Sequence, residues 1–259
     1  MPDFSIRSMG VEIMDDLQCS GDVLGQTLRE LEFINTWLGG NQITIDAIAQ
    51  LSRMAPGRQL TIADLGCGGG DMLRTIDAWG KKNNVDLKLI GLDANPNVIE
   101  FARKNIADRP HIHLETVNIF SNEFLHRKYD IVVGTLFFHH FTDQQLARFL
   151  KQLKSNVRLG YVINDIHRHW LAFYSIKILT SLFSRSAMVK YDAPLSVLRA
   201  FTKAELIKIL EQASPAKFVI RWRWAFRWQV IAKVALHAFL PYFVWHNFSY
   251  FSQQIVSCL

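Results

Sequence analysis

Two groups of residues in this chain could do chemistry. The first is Asp64-x-Gly66-x-Gly68-x-Gly70, where a short apolar run over residues 61–65 carries a carboxylate and opens into a glycine turn, with helix-forming residues from Met72. Glycine lets backbone adopt φ > 0 or approach a ligand with no Cβ in the way, and a helix start offers free N–H groups to a carboxylate or phosphate. The second group is His139, His140 and His167, each just beyond the end of an expected strand. Imidazole changes charge near neutral pH, so a histidine there can take a proton from a bound hydroxyl, and His140 is the first candidate.

The spacing of the glycines narrows the ligand. A dinucleotide turn follows G-x-G-x-x-G and would need glycine at position 71, where the chain has Asp71. Asp93 closes the next strand 29 positions beyond Asp64, against about 20 in dinucleotide folds, and its two oxygens can accept bonds from vicinal ribose hydroxyls. A solvated strand-end carboxylate would leave the same trace.

With Asp64 to Gly70 as a first motif and Gly91-Leu92-Asp93-Ala94-Asn95-Pro96 as a second, the chain resembles the class I S-adenosylmethionine-dependent methyltransferases. The resemblance implies S-adenosyl-L-methionine as cofactor, bound through Asp64, Gly66, Cys67, Gly68, Gly70, Asp93, Ala94, Asn118, Ile119 and Thr135. The family usually carries Asp after the third strand for the adenine amino group. Asn118 stands there, and its side-chain oxygen can accept the same bond or close an Asx-turn. The Asn/Asp-Pro-Pro-Tyr tetrad that holds an exocyclic base nitrogen is missing after residue 135, as is a Pro-Cys pair, which argues against a nucleic-acid methyltransferase.

The elements that must position these residues alternate. Strands are expected at 61–65, 85–93, 112–117, 129–135 and 161–165, with helices at 72–79, 97–105 and 142–155, the pattern of a parallel sheet with right-handed crossovers. Residues 217–224 and 226–234 read as a final antiparallel hairpin, each strand with one face buried and the other solvated, after a helix from Thr202 that opens with a Thr202/Glu205 capping box. The fold class is therefore α/β: a Rossmann-like, seven-stranded, mostly parallel sheet with helices on both faces. Helices are expected at 23–38, ended by Gly39-Gly40, and at 45–54; the resemblance implies that residues 1–57 form an N-terminal cap over the cofactor, while helices that only cover one face of the sheet would show the same spacing. The methyltransferase domain spans 58–233; the apolar helical insertion at 170–200 stands where the resembling family usually carries a substrate lid, and extra core or a dimer face would leave the same pattern.

Bulk properties fit this reading. The 259 residues are 49% hydrophobic and 20% charged, a globular composition. The net charge of +6 is uneven: residues 166–259 hold 12 Lys and Arg against 3 Asp and Glu. Cys19, Cys67 and Cys258 form neither a disulfide framework nor a CxxC pair, and no metal-ligand spacing is present. The start lacks the basic and apolar regions of a signal peptide, so a cytoplasmic location is expected.

Function follows from lid and cofactor. The apolar lid implies an apolar acceptor, and residues 191–201, Asn164-Asp165-Ile166-His167-Arg168 and Ile13-Met14-Asp15-Asp16 resemble a bacterial methyltransferase subgroup associated with aromatic polyketide or quinone-like products. The expected activity is methyl transfer to a phenolic oxygen or ring carbon of an aromatic or lipid-like small molecule. The alternatives are an RNA methyltransferase using the Arg221, Arg223 and Arg227 run with its interleaved tryptophans, and a non-catalytic cofactor-binding assembly protein. DNA is not an expected partner. Residues 234–259 hold no charged side chain and seven aromatic ones, and could pack on the domain, join a homodimer or lie at a membrane interface.

Overall fold

A computed structural model describes residues 2–234. The apolar segment at 235–259, with the dimer or membrane contact expected of it, lies outside the described residues. Among the described residues no helix is long and apolar enough to cross a membrane.

Seven strands form one sheet: β1 (Leu60–Leu65), β2 (Leu87–Asp93), β3 (His113–Thr116), β4 (Tyr129–Thr135), β5 (Val157–Ile166), β6 (Lys217–Arg223) and β7 (Arg227–Lys233). Their order is β3-β2-β1-β4-β5-β7-β6, parallel from β3 to β5, with β7 antiparallel to both β5 and β6. The chain reverses its strand order beside β1, so the ends of β1, β2 and β4 open on one crevice, the place where ligands bind in open sheets.

Alternation along each strand feeds two cores. Val132, Tyr161, Ile163 and Val230 point to the face covered by α6 (Asp143–Asn156) and α9 (Lys203–Ala213), where Leu146, Phe149, Leu206 and Leu210 are buried. Ile131, Val133, Val162 and Ile231 point to the opposite face, against α2 (Gly40–Ser52), α3 (Asp71–Lys82) and α4 (Pro96–Asn105). Period-two side chains with helices on both sides produce this division.

Four expectations change. Gly39, at φ 73°, ends α1 (Gly21–Trp37), but Gly40 already opens α2, so the two helices form a tight corner with no linker. The fifth strand starts at Val157, directly at the end of α6, because buried Asn156 donates to the carbonyls of Phe124, Leu125 and Arg127 and anchors the turn there. The apolar helical insertion at 170–200 is two helices, α7 (Trp170–Phe183) and α8 (Ala187–Arg199), with Ser186 as N-cap of the second. Finally, β6 alternates, but β7 is buried on both faces from Arg227 to Ala232, since it lies between β5 and β6 and carries helix on one side and α2 on the other.

Candidate active site

A cavity of about 740 Å³ opens at the strand ends. Its floor is the glycine turn and the ends of β2 and β4, and its walls are α1, α7, α8 and residues 224–227 of the final hairpin. The N-terminal segment completes it with Glu12, Met14, Asp15 and Leu17. Of the two N-terminal helices, α1 lines the cavity while α2 packs on the sheet.

The glycine turn leaves β1 at Gly66, φ 62°, where a Cβ would stand 2.2 Å from the Phe137 ring. At Gly68, φ 51°, a Cβ would meet only Leu28, at 3.7 Å, so the backbone there faces open space into which a ligand can press. Asp64 is 2% exposed, and among the described residues no hydrogen bond reaches its carboxylate. Burial raises its pKa well above the usual range, and the charges of Asp71 and Asp93 raise it further. Burial likewise raises Asp71, with Glu32 adding to it, and raises Asp93 despite N–H bonds from Asn95, Gly68 and Ala94. Three crowded carboxylates, whose burial outweighs the pull of Arg74 on Asp71 and of His140 on Asp93, form a donor set suited to a positively charged ligand. S-adenosylmethionine, with an ammonium and a sulfonium, fits it.

Asp64, Gly66, Cys67, Gly68, Asp93, Ala94, Asn118, Ile119 and Thr135 all line the cavity. Asn118 Oδ1 accepts the Phe120 N–H at 2.9 Å, an Asx-turn, and Thr135 Oγ1 bonds Thr44 Oγ1 at 2.9 Å. Gly70 does not reach the cavity; at φ 81° it is the N-cap residue of α3. His167 does not reach it either. Beyond Ile166 the chain bridges to Phe201, and the His167 ring packs on Trp228, with centroids 4.7 Å apart.

His139 and His140 do line it, in a single turn of 3₁₀ helix after β4. His139 Nδ1 lies 2.7 Å from Asp165 Oδ1, and the other oxygen of Asp165 accepts the N–H groups of Phe138 and His139. His140 Nδ1 lies 2.6 Å from Asp15 Oδ1. Burial opposes ionisation of both aspartates, but their histidine partners, joined at Asp15 by Arg199, hold each carboxyl below its usual pKa. A carboxylate only accepts, so each imidazole carries its proton on Nδ1 and a neutral ring presents an Nε2 lone pair. His139 is 3% exposed and its Nε2, without a partner, faces Glu12 Oε1 at 3.6 Å. His140 is the more open ring, with 22% of its side chain exposed.

The partners of this pair come from far along the chain and were not anticipated as site residues. Glu12 accepts from Ser196 Oγ at 2.9 Å, and Arg199 bonds both Asp15 and the His140 carbonyl. Asp192 accepts the N–H groups of Ile13 and Met14, pinning the segment in place. Asp15 and Arg199 both fall in stretches that resemble the bacterial subgroup, but Glu12 had no local signal. Glu12, His139 and His140 also bring ligand atoms within 4.8 Å of one another and could hold a metal ion, a set invisible in the sequence spacing. Arg199 Nη1 stands 3.5 Å from Glu12 Oε1, so that carboxylate already has a cationic neighbour.

The hairpin does not present a free basic stripe. Arg227 and Trp228 are buried, and Arg223 bonds Gln229 and Asp46, leaving Arg221, which reaches Gln50, with Trp222 and Trp224 as the exposed residues of the run.

Residues 62–160 match the family model described as a methyltransferase domain. No curated protein matches the chain. Solved structures resemble it at low identity. The plantazolicin methyltransferase BpumL in complex with SAH is 18% identical with a TM-score of 0.56, over 82% of this chain and 95% of that one. A putative O-methyltransferase from Nostoc punctiforme is 16% identical with a TM-score of 0.57, over 88% and 64%. The CMeT domain of the citrinin polyketide synthase is 16% identical with a TM-score of 0.52, over 70% and 47%. These likenesses establish the fold.

Proposed function

We propose that this chain, an S-adenosylmethionine-dependent methyltransferase, methylates an apolar aromatic small molecule at a phenolic oxygen or at the ring carbon such an oxygen activates. The observation that carries the reading is the Asp15–His140 pair at 2.6 Å, set in a cavity whose other walls are largely apolar side chains of α1 and α7. Bound S-adenosylmethionine supplies a methyl group on a positive sulfur that leaves as a neutral thioether.

The chain would supply the rest. Asp64 would face the cofactor's ammonium and Asp93 the ribose hydroxyls, with Gly66 and Gly68 keeping the turn free of side chains. Ala94, Asn118, Ile119 and Thr135 would border the nucleoside. His140 Nε2 would take the phenol proton, and Asp15 would hold the ring in the tautomer that can receive it and stabilise the resulting imidazolium. Holding the two reactants in line contributes further. Helices α7 and α8 would form the lid of the acceptor half, closing the cavity against water, and the acceptor would lie against Ile176 and Leu179.

Calorimetric titration with S-adenosylmethionine, then radiolabelled methyl transfer to phenols and to RNA, tests the reading. Asp93→Ala is expected to weaken cofactor binding at least about tenfold. His140→Ala is expected to lower kcat by roughly 10² to 10⁴ at unchanged cofactor affinity. Undiminished turnover by His140→Ala would remove the base, and labelling of RNA in place of phenols would replace the acceptor class.

A further inference from the structure

Arg227 opens β7 opposite Ile166, at the edge of the sheet where the cavity lies, and it lines that cavity while only 5% exposed. Its Nη2 donates to Asn35 Oδ1 at 3.1 Å, and its Nη1 has no partner. The nearest influential carboxylate, Asp165, is fully engaged by His139 and by three backbone N–H groups. Burial lowers the guanidinium only to about 10, so it stays a cation at neutral pH. An unpaired buried cation is costly, and such groups are ordinarily found paired.

The rest of the wall makes this corner distinct. Among the described residues that line the cavity, Arg227 is the only Lys or Arg. Carboxylates gather instead at the glycine turn, as Asp64, Asp71 and Asp93, and at the N-terminal segment, as Glu12 and Asp15, with Glu32 on α1 and Asp192 on α8. Beside Arg227, the one guanidinium on this lining, Phe226 and Trp224 supply apolar surface, so an aromatic anion finds both its charge partner and its packing there.

We propose that Arg227 receives a carboxylate of the methyl acceptor, so that the substrate is an aromatic hydroxy acid and not a neutral phenol. The proposal rests on the reading of this cavity as the acceptor site. The carboxylate would accept from the Arg227 guanidinium in a charge-assisted bond, supply the counter-charge it lacks, and fix which end of the acceptor enters first.

The test compares 1-hydroxy-2-naphthoate with 1-naphthol by isothermal titration into the full-length protein saturated with S-adenosylhomocysteine. The acid is expected to bind about tenfold tighter or more than the alcohol. Arg227→Met is expected to abolish that preference with S-adenosylhomocysteine affinity retained, and Arg227→Lys to keep part of it. Equal binding of the two probes by the wild type, binding of neither, or a preference that survives in Arg227→Met would overturn the proposal. Should Arg227→Met fail to fold, the wild-type comparison and the lysine variant decide. Failure of S-adenosylhomocysteine itself to bind would instead undo the cofactor reading, so the two failures are distinguishable.

Discussion

Glu12 is 4% exposed, and burial is the largest influence on it, raising its carboxyl to about 7 against the opposing pull of His140, Arg199 and the Ser196 hydroxyl. Below the unfolded value of 4.5 both folded and unfolded chains hold this proton. Between that value and about 7 the fold keeps the proton while the unfolded chain releases it, so stability falls as pH rises through this window, by roughly 3 kcal/mol for this group. Glu12→Gln should flatten the fall: scanning calorimetry at pH 5 and pH 8 is expected to show the wild-type midpoint dropping on the order of 5 to 10 °C more than the variant's. Equal drops would show that Glu12 titrates normally. The raised carboxyls of Asp64, Asp71 and Asp93 act in the same direction, but both proteins share them. At this scale the sequence was readable where partners are neighbours in the chain. Asp64 and Asp93 announced themselves through adjacent glycines and strand ends, and His140 through its place after β4. Glu12 and Arg227 did not, because their meaning lies in contacts with Ser196 and Asn35, which are 184 and 192 residues away.

The β1–turn–α3 unit depends on Gly66 more than on any other glycine of the motif, since its φ of 62° and the Phe137 ring 2.2 Å from a built Cβ both oppose a side chain. Gly66→Ala is expected to cost about 1 to 3 kcal/mol of stability and at least about tenfold in S-adenosylmethionine affinity. Thermal melts and cofactor titration would check this, and a variant that binds cofactor normally would relocate the contact. Strand-turn-helix units of this kind were legible because period-two and helical spacing are local properties. The break between α7 and α8 was not. Residues 170–188 are mostly apolar, with a polar run at Ser184-Arg185-Ser186, and the division there is fixed from outside by Glu30, which bonds the Ser184 hydroxyl and the backbone N–H groups of Arg185 and Ser186, while Thr27 bonds the Ser186 hydroxyl. The both-sided burial of β7 was missed for the same reason: alternation in the sequence reports side-chain direction, whereas burial depends on which strands flank it.

The molecule as a whole is fastened by its first residues. Arg7 bonds the carbonyls of His139, Phe141 and Arg199, Arg168 reaches the carbonyls of Phe4 and Ser5, and Asp192 holds Ile13 and Met14. Removing residues 1–16 is expected to leave a cooperatively melting domain that still binds S-adenosylmethionine, with kcat lowered by about 10² or more because His140 loses Asp15. Calorimetry, titration and methyl transfer on the truncated chain would check it, and full turnover would place the activating carboxylate elsewhere. This fastening also sets a timetable. Synthesis begins at the N-terminus, yet the partners of Asp15 lie at His140 and Arg199, so the segment must wait while some 180 further residues emerge, about ten seconds to half a minute at ribosomal rates. The glycine turn and its flanking strands are complete long before that. If His140 and Asp15 act as proposed, a nascent chain would form its glycine turn well before it is competent, and competence would arrive only when the oldest part of the chain closes over the youngest of its partners.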